Sequence, residues 1–243
     1  MSADLRISGL EKSFGAVRAL AGVDLTVDAG RTIGLLGPNG SGKTTLVNCV
    51  SGVLPITAGT IRMGATDIST ASPVRRARAG LVRTFQNLRL FTDLTVLENI
   101  ECALAPRSGK AGRSREVLAA ILDEHELADR AHARVRDLPY GLQKRTEIAR
   151  ALAAEPRLLL LDEPAAGLSD SEAQLLGTVI RRARERLGFT LLLIDHNVAF
   201  VAALADELVV LAEGRVIRRG LPADILADPE VARIYLGASF APH

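Results

Sequence analysis

Gly37-Pro38-Asn39-Gly40-Ser41-Gly42-Lys43-Thr44 follows the spacing G-x-x-x-x-G-K-[ST], and that spacing is suited to phosphate. The glycines let the chain turn so that successive N–H groups and a helix N-terminus converge on phosphate oxygens. Lys43 would bridge the outer phosphates of a nucleotide, and the Thr44 hydroxyl would hold Mg2+. The plainer alternative is a tight glycine-rich turn with an exposed lysine. Placement favours phosphate: Thr32-Ile33-Gly34-Leu35-Leu36 reads as a strand before the loop, and Thr44 to Val50 reads as a helix ending at Gly52.

A second group of chemistry-bearing residues follows apolar runs. In Leu158-Leu159-Leu160-Leu161-Asp162-Glu163 two carboxylates end a buried strand, where open parallel sheets present their ligand sites. Asp162 would support Mg2+ and Glu163 would polarise an attacking water, the parts phosphoryl transfer requires when the protein's work is positioning and charge neutralisation. A solvated strand end with a turn at Pro164 is the ordinary alternative. His196 lies just past the strand Thr190-Leu191-Leu192-Leu193-Ile194, able to donate to a γ-phosphate or to order Glu163 and water. Gln86, after Leu81-Val82-Arg83-Thr84-Phe85, could reach water or metal from a third strand end. A lone histidine or glutamine is more often structural, but four strand ends aimed at one nucleotide reinforce one another.

The elements that must position these residues read as a layered α/β fold. Short, fully apolar strands alternating with helices, such as the stretch from about Ser171 to Leu187, predict a parallel sheet covered on both faces. Leu5 to Val27 reads as two or three short antiparallel strands, broken by Gly15 and closed by Asp28-Ala29-Gly30. From about Asn87 to Asp137 the chain turns to Ala, Leu, Arg and Glu at helical spacing, which predicts an inserted helical lobe with a flexible loop at Pro106–Arg115. No repeat of solenoid period is visible.

Composition removes other classes. The 243 residues are 48% hydrophobic but only 3% aromatic, without Trp, so the apolar mass is aliphatic and large enough for a sizeable core. Mean hydropathy is +0.19, yet the longest apolar run, Val198 to Ala205, is far short of the roughly 18 residues a spanning helix needs. The start MSADLRISGL has no basic flank followed by an apolar stretch, so no secretory signal is expected. Cys49 and Cys102 have no metal-ligand spacing, which fits reduced thiols. A net charge of +2 gives no electrostatic case for nucleic acid. The arginines at 75, 76 and 78, and those at 181, 182, 184 and 186, read as solvated helix faces.

With these residues in hand, the sequence resembles the ATP-binding subunits of ABC transporters over essentially its whole length. The resemblance rests on GPNGSGKTT from Gly37, Gln86, a signature-like LPYGLQKR from Leu138, LLLLDEP from Leu158, a D-loop-like AGLSD from Ala166, and His196. RTFQN at Arg83, EIARAL at Glu147, DEPAAGL and a terminal YLG at Tyr235 are similar to the branched-chain amino acid importer type. The resemblance implies a P-loop NTPase (RecA-like) parallel-sheet core with an N-terminal antiparallel β subdomain and an inserted helical subdomain. It implies a single domain over 1–243, with the core at 1–86 and 138–243 and the helical subdomain from 87 to 137, continuing into a signature helix that ends near 154.

The same resemblance implies ATP and Mg2+ as ligands, with ATP on Gly37, Pro38, Asn39, Gly40, Ser41, Gly42, Lys43, Thr44 and Thr45. It implies Mg2+ on Thr44, Gln86 and Asp162, and catalysis by Glu163, His196 and Gln86. Phe14 is the candidate platform for adenine, with Val17 beside it; a core phenylalanine is the alternative. ATP would be sandwiched in a head-to-tail dimer against the partner's signature residues Leu138, Pro139, Tyr140, Gly141, Leu142 and Gln143.

That signature departs from LSGGQ: Pro139 replaces Ser, Tyr140 the first Gly and Leu142 the Gln. Recognition in trans must then rest on the Gly141 backbone and the N-terminus of a helix expected over about Leu142 to Ala154. Ser169, where the family favours Asp or Asn, fits equally a capping box with Glu172 and a dimer contact.

The activity implied is ATP hydrolysis coupled to uptake of a small solute, branched-chain or related amino acids being favoured. The partners implied are a second copy or a related ATPase, integral membrane permease subunits, and an extracytoplasmic solute-binding protein, with no nucleic acid. The chain would then be cytoplasmic, held on the inner face of the membrane through the permease. Gln86 to Phe91 would face that permease, although Leu88, Leu90 and Phe91 could equally be core. A soluble ABC-type ATPase acting on ribosomes or DNA would need paired units or a long coiled coil, and a GTPase would need an [NT]KxD motif that is absent.

Overall fold

A computed structural model of the chain describes residues 5–104 and 111–236. In chain order the elements are β1 (Leu5–Phe14), β2 (Val17–Val27), β3 (Thr32–Leu36), α1 (Lys43–Ser51), β4 (Ala58–Met63), β5 (Thr66–Asp67), α2 (Pro73–Arg78) and β6 (Leu81–Arg83). Then follow α3 (Val96–Glu101), α4 (Ala111–Glu124), α5 (Tyr140–Ala153), β7 (Leu158–Asp162), α6 (Asp170–Leu187), β8 (Thr190–Ile194) and α7 (Val198–Leu204). The chain closes with β9 (Glu207–Ala212), β10 (Arg215–Gly220), α8 (Pro222–Ala227) and α9 (Pro229–Leu236).

Two sheets result, an antiparallel one in the order β2-β1-β4-β5 and a larger one in the order β10-β9-β3-β8-β7-β6. The larger is parallel except for β10, which returns antiparallel to β9 at the edge. The leucine run of β7 shows why its strands carry no polar alternation. Leu158 and Leu160 face a core shared with α1 and the antiparallel sheet, whereas Leu159 and Leu161 face a second core with α5, α6 and α7. A strand buried on both faces has no solvent side to mark. A third cluster joins α3 and α4 to α5 through Ala149 and Ala153, so α5 belongs to both the helical lobe and the sheet layer.

Several expectations need revision. The N-terminal segment forms two long strands of 10 and 11 residues, kept continuous by register shifts between Ile7 and Leu10 and between Lys12 and Ser13. β1 also pairs with the distant β4. The expected loop at Pro106–Arg115 lies outside the described residues from 106 to 110, but 111–115 open α4. The helix expected from Leu142 starts at Tyr140, because Pro139 is its N-cap and the Pro139 carbonyl accepts from the N–H groups of Leu142 and Gln143 at 3.0 and 3.1 Å.

Two arginines read as solvated are structural. Arg76 is buried, and its guanidinium donates to the carbonyls of Cys49 (2.6 Å), Val50 (2.7 Å), Ala71 (2.9 Å) and Ser69 (3.0 Å). It thereby satisfies carbonyls that α1 leaves open at its C-terminus and places a cation at the negative end of that helix. Arg184 donates to Thr32 Oγ1 and Asp206 Oδ2, each at 2.6 Å, fastening α6 to the start of β3.

Candidate functional site

Because β3, β8, β7 and β6 are parallel neighbours in that order, their C-terminal ends open on one edge, and the phosphate loop, His196, Asp162 with Glu163, and Gln86 lie at or just past those ends. The glycine loop leaves β3 and enters α1, whose N-cap is Gly42 at φ 106°. A side chain at Gly42 would meet the Ala19 carbonyl at 2.7 Å, so this position needs glycine both for conformation and for room. α1 has no side-chain cap and no acidic residue in its first turn, leaving its leading N–H groups to a ligand. Ser41 Oγ is buried without a hydrogen-bond partner among the described residues, as expected of a group that awaits a polar ligand. Lys43 folds back so that Nζ donates to the Gly37 and Pro38 carbonyls at 2.6 and 2.9 Å. Burial lowers its pKa while the nearby Glu163 carboxylate pulls it back up, and a phosphate would stabilise the same ammonium.

Across from the loop, Glu163 follows β7 at φ +52°, a left-handed conformation held by its N–H donating to the Ile194 carbonyl at 2.8 Å. Its carboxylate joins two strand ends: Gln86 Nε2 donates to Oε2 at 2.9 Å, and His196 Nε2 lies 2.9 Å from Oε1. Glu163 and His196 share a recess of about 200 Å3 with Asn39, Gly40, Ser41, Gly42, Lys43, Thr44, Thr45 and Ala19. The expected phosphate loop, Glu163, His196 and Gln86 are thus brought together.

Asp162, the last residue of β7, is held by a residue that the sequence reading did not single out. Arg83 Nη2 donates to Asp162 Oδ2 at 2.8 Å, and Arg83 Nη1 donates to Asn48 Oδ1 and Ser51 Oγ at 2.6 and 2.9 Å. This guanidinium ties the ends of β6 and β7 to α1. The available signal was a cation ending an otherwise apolar strand. Asp195 was missed as well: its Oδ2 accepts from Ala165 N at 2.8 Å and its Oδ1 from Asn197 N at 2.9 Å, bracing the segment after Glu163 against the loop that carries His196.

The donor set fits Mg2+, a hard cation that takes oxygen ligands. Thr44 would offer its hydroxyl, Asp162 the carboxylate oxygen opposite the Oδ2 that Arg83 holds, and Gln86 its amide oxygen, the amide nitrogen being on Glu163.

Phe14 and Val17 do not line the recess, but Ala19 on the same hairpin does. Phe14 is 48% exposed, so the core alternative fails; Lys12 Nζ lies 4.9 Å from its ring centroid. Leu138 to Gln143 are also away from the recess, at the start of α5. There, a side chain at Gly141 would come within 2.2 Å of Glu172 Oε1, and one at Gly167 within 3.0 Å of the Tyr140 ring. The signature-like turn therefore packs on the D-loop-like segment of its own chain. Ser169 caps α6 in a reciprocal box with Glu172, so its structural role is realised.

Comparison with known proteins agrees with the geometry. The ABC transporter family pattern matches residues 20–166. The high-affinity branched-chain amino acid transport ATP-binding protein BraF of Pseudomonas aeruginosa is 38% identical over 248 residues, covering 96% of this chain and 97% of BraF. The lipopolysaccharide export system ATP-binding protein LptB of Escherichia coli is 36% identical, covering 98% of this chain and 99% of LptB. Among solved structures, the ADP conformation of MJ1267, an ATP-binding cassette of an ABC transporter, matches with a TM-score of 0.86 and 30% identity, covering 98% of this chain and 100% of that one.

Proposed function

Since this chain belongs to the ABC transporter family of ATP-binding proteins, we propose that it is the ATPase subunit of an importer for branched-chain or related amino acids. It binds and hydrolyses ATP. The observation that carries the mechanism is Glu163, held between Gln86 and His196 at 2.9 Å each and facing the phosphate loop across one recess. In this reading the loop and Lys43 bind the phosphates, Glu163 orients water, and His196 and Gln86 hold Glu163 and the γ-phosphate region in register. Mg2+, held by Thr44, Asp162 and Gln86, would supply charge neutralisation on the phosphate oxygens.

Phosphoryl transfer draws little covalent chemistry from the protein, so catalysis rests on positioning and charge stabilisation, and in this reading motion completes and dismantles the site. The proposed motion is closure of a head-to-tail dimer, with the α5 N-terminus of one subunit covering the nucleotide of the other. No helix among the described residues is long and apolar enough to cross a membrane, so transport in this reading needs separate permease subunits, with a solute-binding protein outside. The chain would sit on the cytoplasmic face of the membrane. Supporting the permease contact is a groove of about 290 Å3 whose walls include Phe85, Arg89, Phe91 and Arg150. Phe91 is 53% exposed, and Leu88 and Leu90 are only half-buried.

The test is reconstitution with candidate permease subunits and a solute panel. ATP-dependent uptake of branched-chain amino acids supports the proposal. Outward lipid movement, the activity that LptB's name describes, or uptake of an unrelated solute, would replace it.

A further inference from the structure

We propose that Glu147 is a positioning residue that fixes the Gln86 segment to α5, so that ATP bound in one subunit sets the half-site this subunit offers its partner. The inference rests on the dimeric reading above.

Glu147 lies in the middle of α5 and is 2% exposed. Its Oε1 accepts from the backbone N–H of Arg89 at 3.3 Å, only three residues after Gln86. Its Oε2 is 3.8 Å from Lys144 Nζ. Lys144 is wholly buried, and its ammonium has no hydrogen-bond partner among the described residues. Burial raises the Glu147 pKa, against the pull of Lys144, the Arg89 amide and Arg150.

A carboxylate and an ammonium in such a place contribute little net stability, because their desolvation offsets their attraction, and apolar residues of like volume would serve the core as well or better. What an apolar pair would not do is hold the Arg89 amide. That amide belongs to a segment whose next polar anchor is Gln86 on Glu163, and whose far side is pinned by Phe91 N donating to Asn99 Oδ1 at 2.9 Å. At its N-terminus, α5 opens on Tyr140 and Gly141, packed against Gly167 and Glu172. A continuous path therefore runs from Glu163 through Gln86, Arg89 and Glu147 to the helix N-terminus that would meet the partner's nucleotide. α5 is thus held at its middle by Glu147 and at its N-terminus by Tyr140 and Gly141, so displacement of Gln86 on ATP binding would be passed along its first half to Gly141.

The test compares the full-length parent, Glu147→Gln, Glu147→Ala and the double variant Lys144→Met with Glu147→Met. It reads kcat, the Hill coefficient for ATP, the Kd for a fluorescent ATP analogue, and thermal unfolding. The Gln variant keeps an acceptor for Arg89 and is expected to retain most of the parent's cooperativity. The Ala variant is expected to lose about tenfold in kcat and to show a Hill coefficient near one, with Kd unchanged. The double variant, in which the whole buried pair is replaced by apolar groups, is expected to be as stable as the parent yet uncoupled, which keeps the test open if the Ala variant unfolds. A stable double variant with the parent's Hill coefficient and kcat overturns the inference. So does a fall in Kd affinity that matches the fall in kcat. A parent that is itself non-cooperative overturns the dimeric reading, and the inference with it.

Discussion

Arg83 and Asp162 form an ion pair of 2.8 Å with each side chain only 6% exposed, and Asp162 is the carboxylate expected to support Mg2+. A buried pair broken on one side leaves an uncompensated charge, which costs about 3–5 kcal/mol. Arg83→Met should therefore lower unfolding stability by roughly that amount in urea titrations, and should reduce the increment in ATP affinity that Mg2+ confers. Equal stability in parent and variant would remove Arg83 from the account.

Arg76 is expected to matter without touching the site. Arg76→Ala removes the guanidinium donor from four carbonyls, of which that of Cys49 keeps the Gly52 N–H, and loss of charged hydrogen bonds at buried acceptors costs about 3 kcal/mol. Arg76→Lys should recover part of this. Circular dichroism melts will show the loss, while ATP affinity below the melting range should stay near that of the parent.

For Lys43, whose ammonium is held on two loop carbonyls, alanine substitution should weaken ATP binding by about 10- to 100-fold, the worth of a charge-assisted phosphate contact. Equilibrium titration with a fluorescent ATP analogue measures this. Unchanged affinity would contradict the phosphate-loop assignment.

Phe14 separates binding from folding. Its ring is about half exposed, so Phe14→Ala should leave the melting temperature almost unchanged. Loss of a stacking face should nonetheless raise the ATP Kd about fivefold or more, with Phe14→Leu in between. Parent-like affinity in both folded variants would end the stacking role.

The sequence was informative where a local pattern and its flanking elements favour the same physical reading. Leu158 to Leu161 could be read as a doubly covered strand because the apolar run is short and alternates with helical stretches. The loop from Gly37 to Thr44 was legible because its glycines and lysine have fixed offsets. Arg76 and Arg184 were misread because a run of arginines on a helix looks the same whether its partner is water or a carbonyl from another element, and Cys49 and Thr32 enter only through tertiary packing. The β1–β4 pairing was invisible for the same reason, since neither strand's pattern names its neighbour. At the opening of α4, Gly112 and Ser114 suggest a loop, and the helix wins in spite of them. In the site, the strand ends foretold which residues would meet and that His196 could order Glu163, but not that Gln86 would donate to the same carboxylate or that Arg83 would occupy Asp162.

The central claim is that Glu163 orients the attacking water between Gln86 and His196. Steady-state ATPase of Glu163→Gln tests it most directly, with ATP binding measured on the same preparation. The account predicts retained ATP affinity, accumulation of an ATP-bound dimer, and turnover reduced by about 100-fold or more. Turnover equal to that of the parent would contradict it.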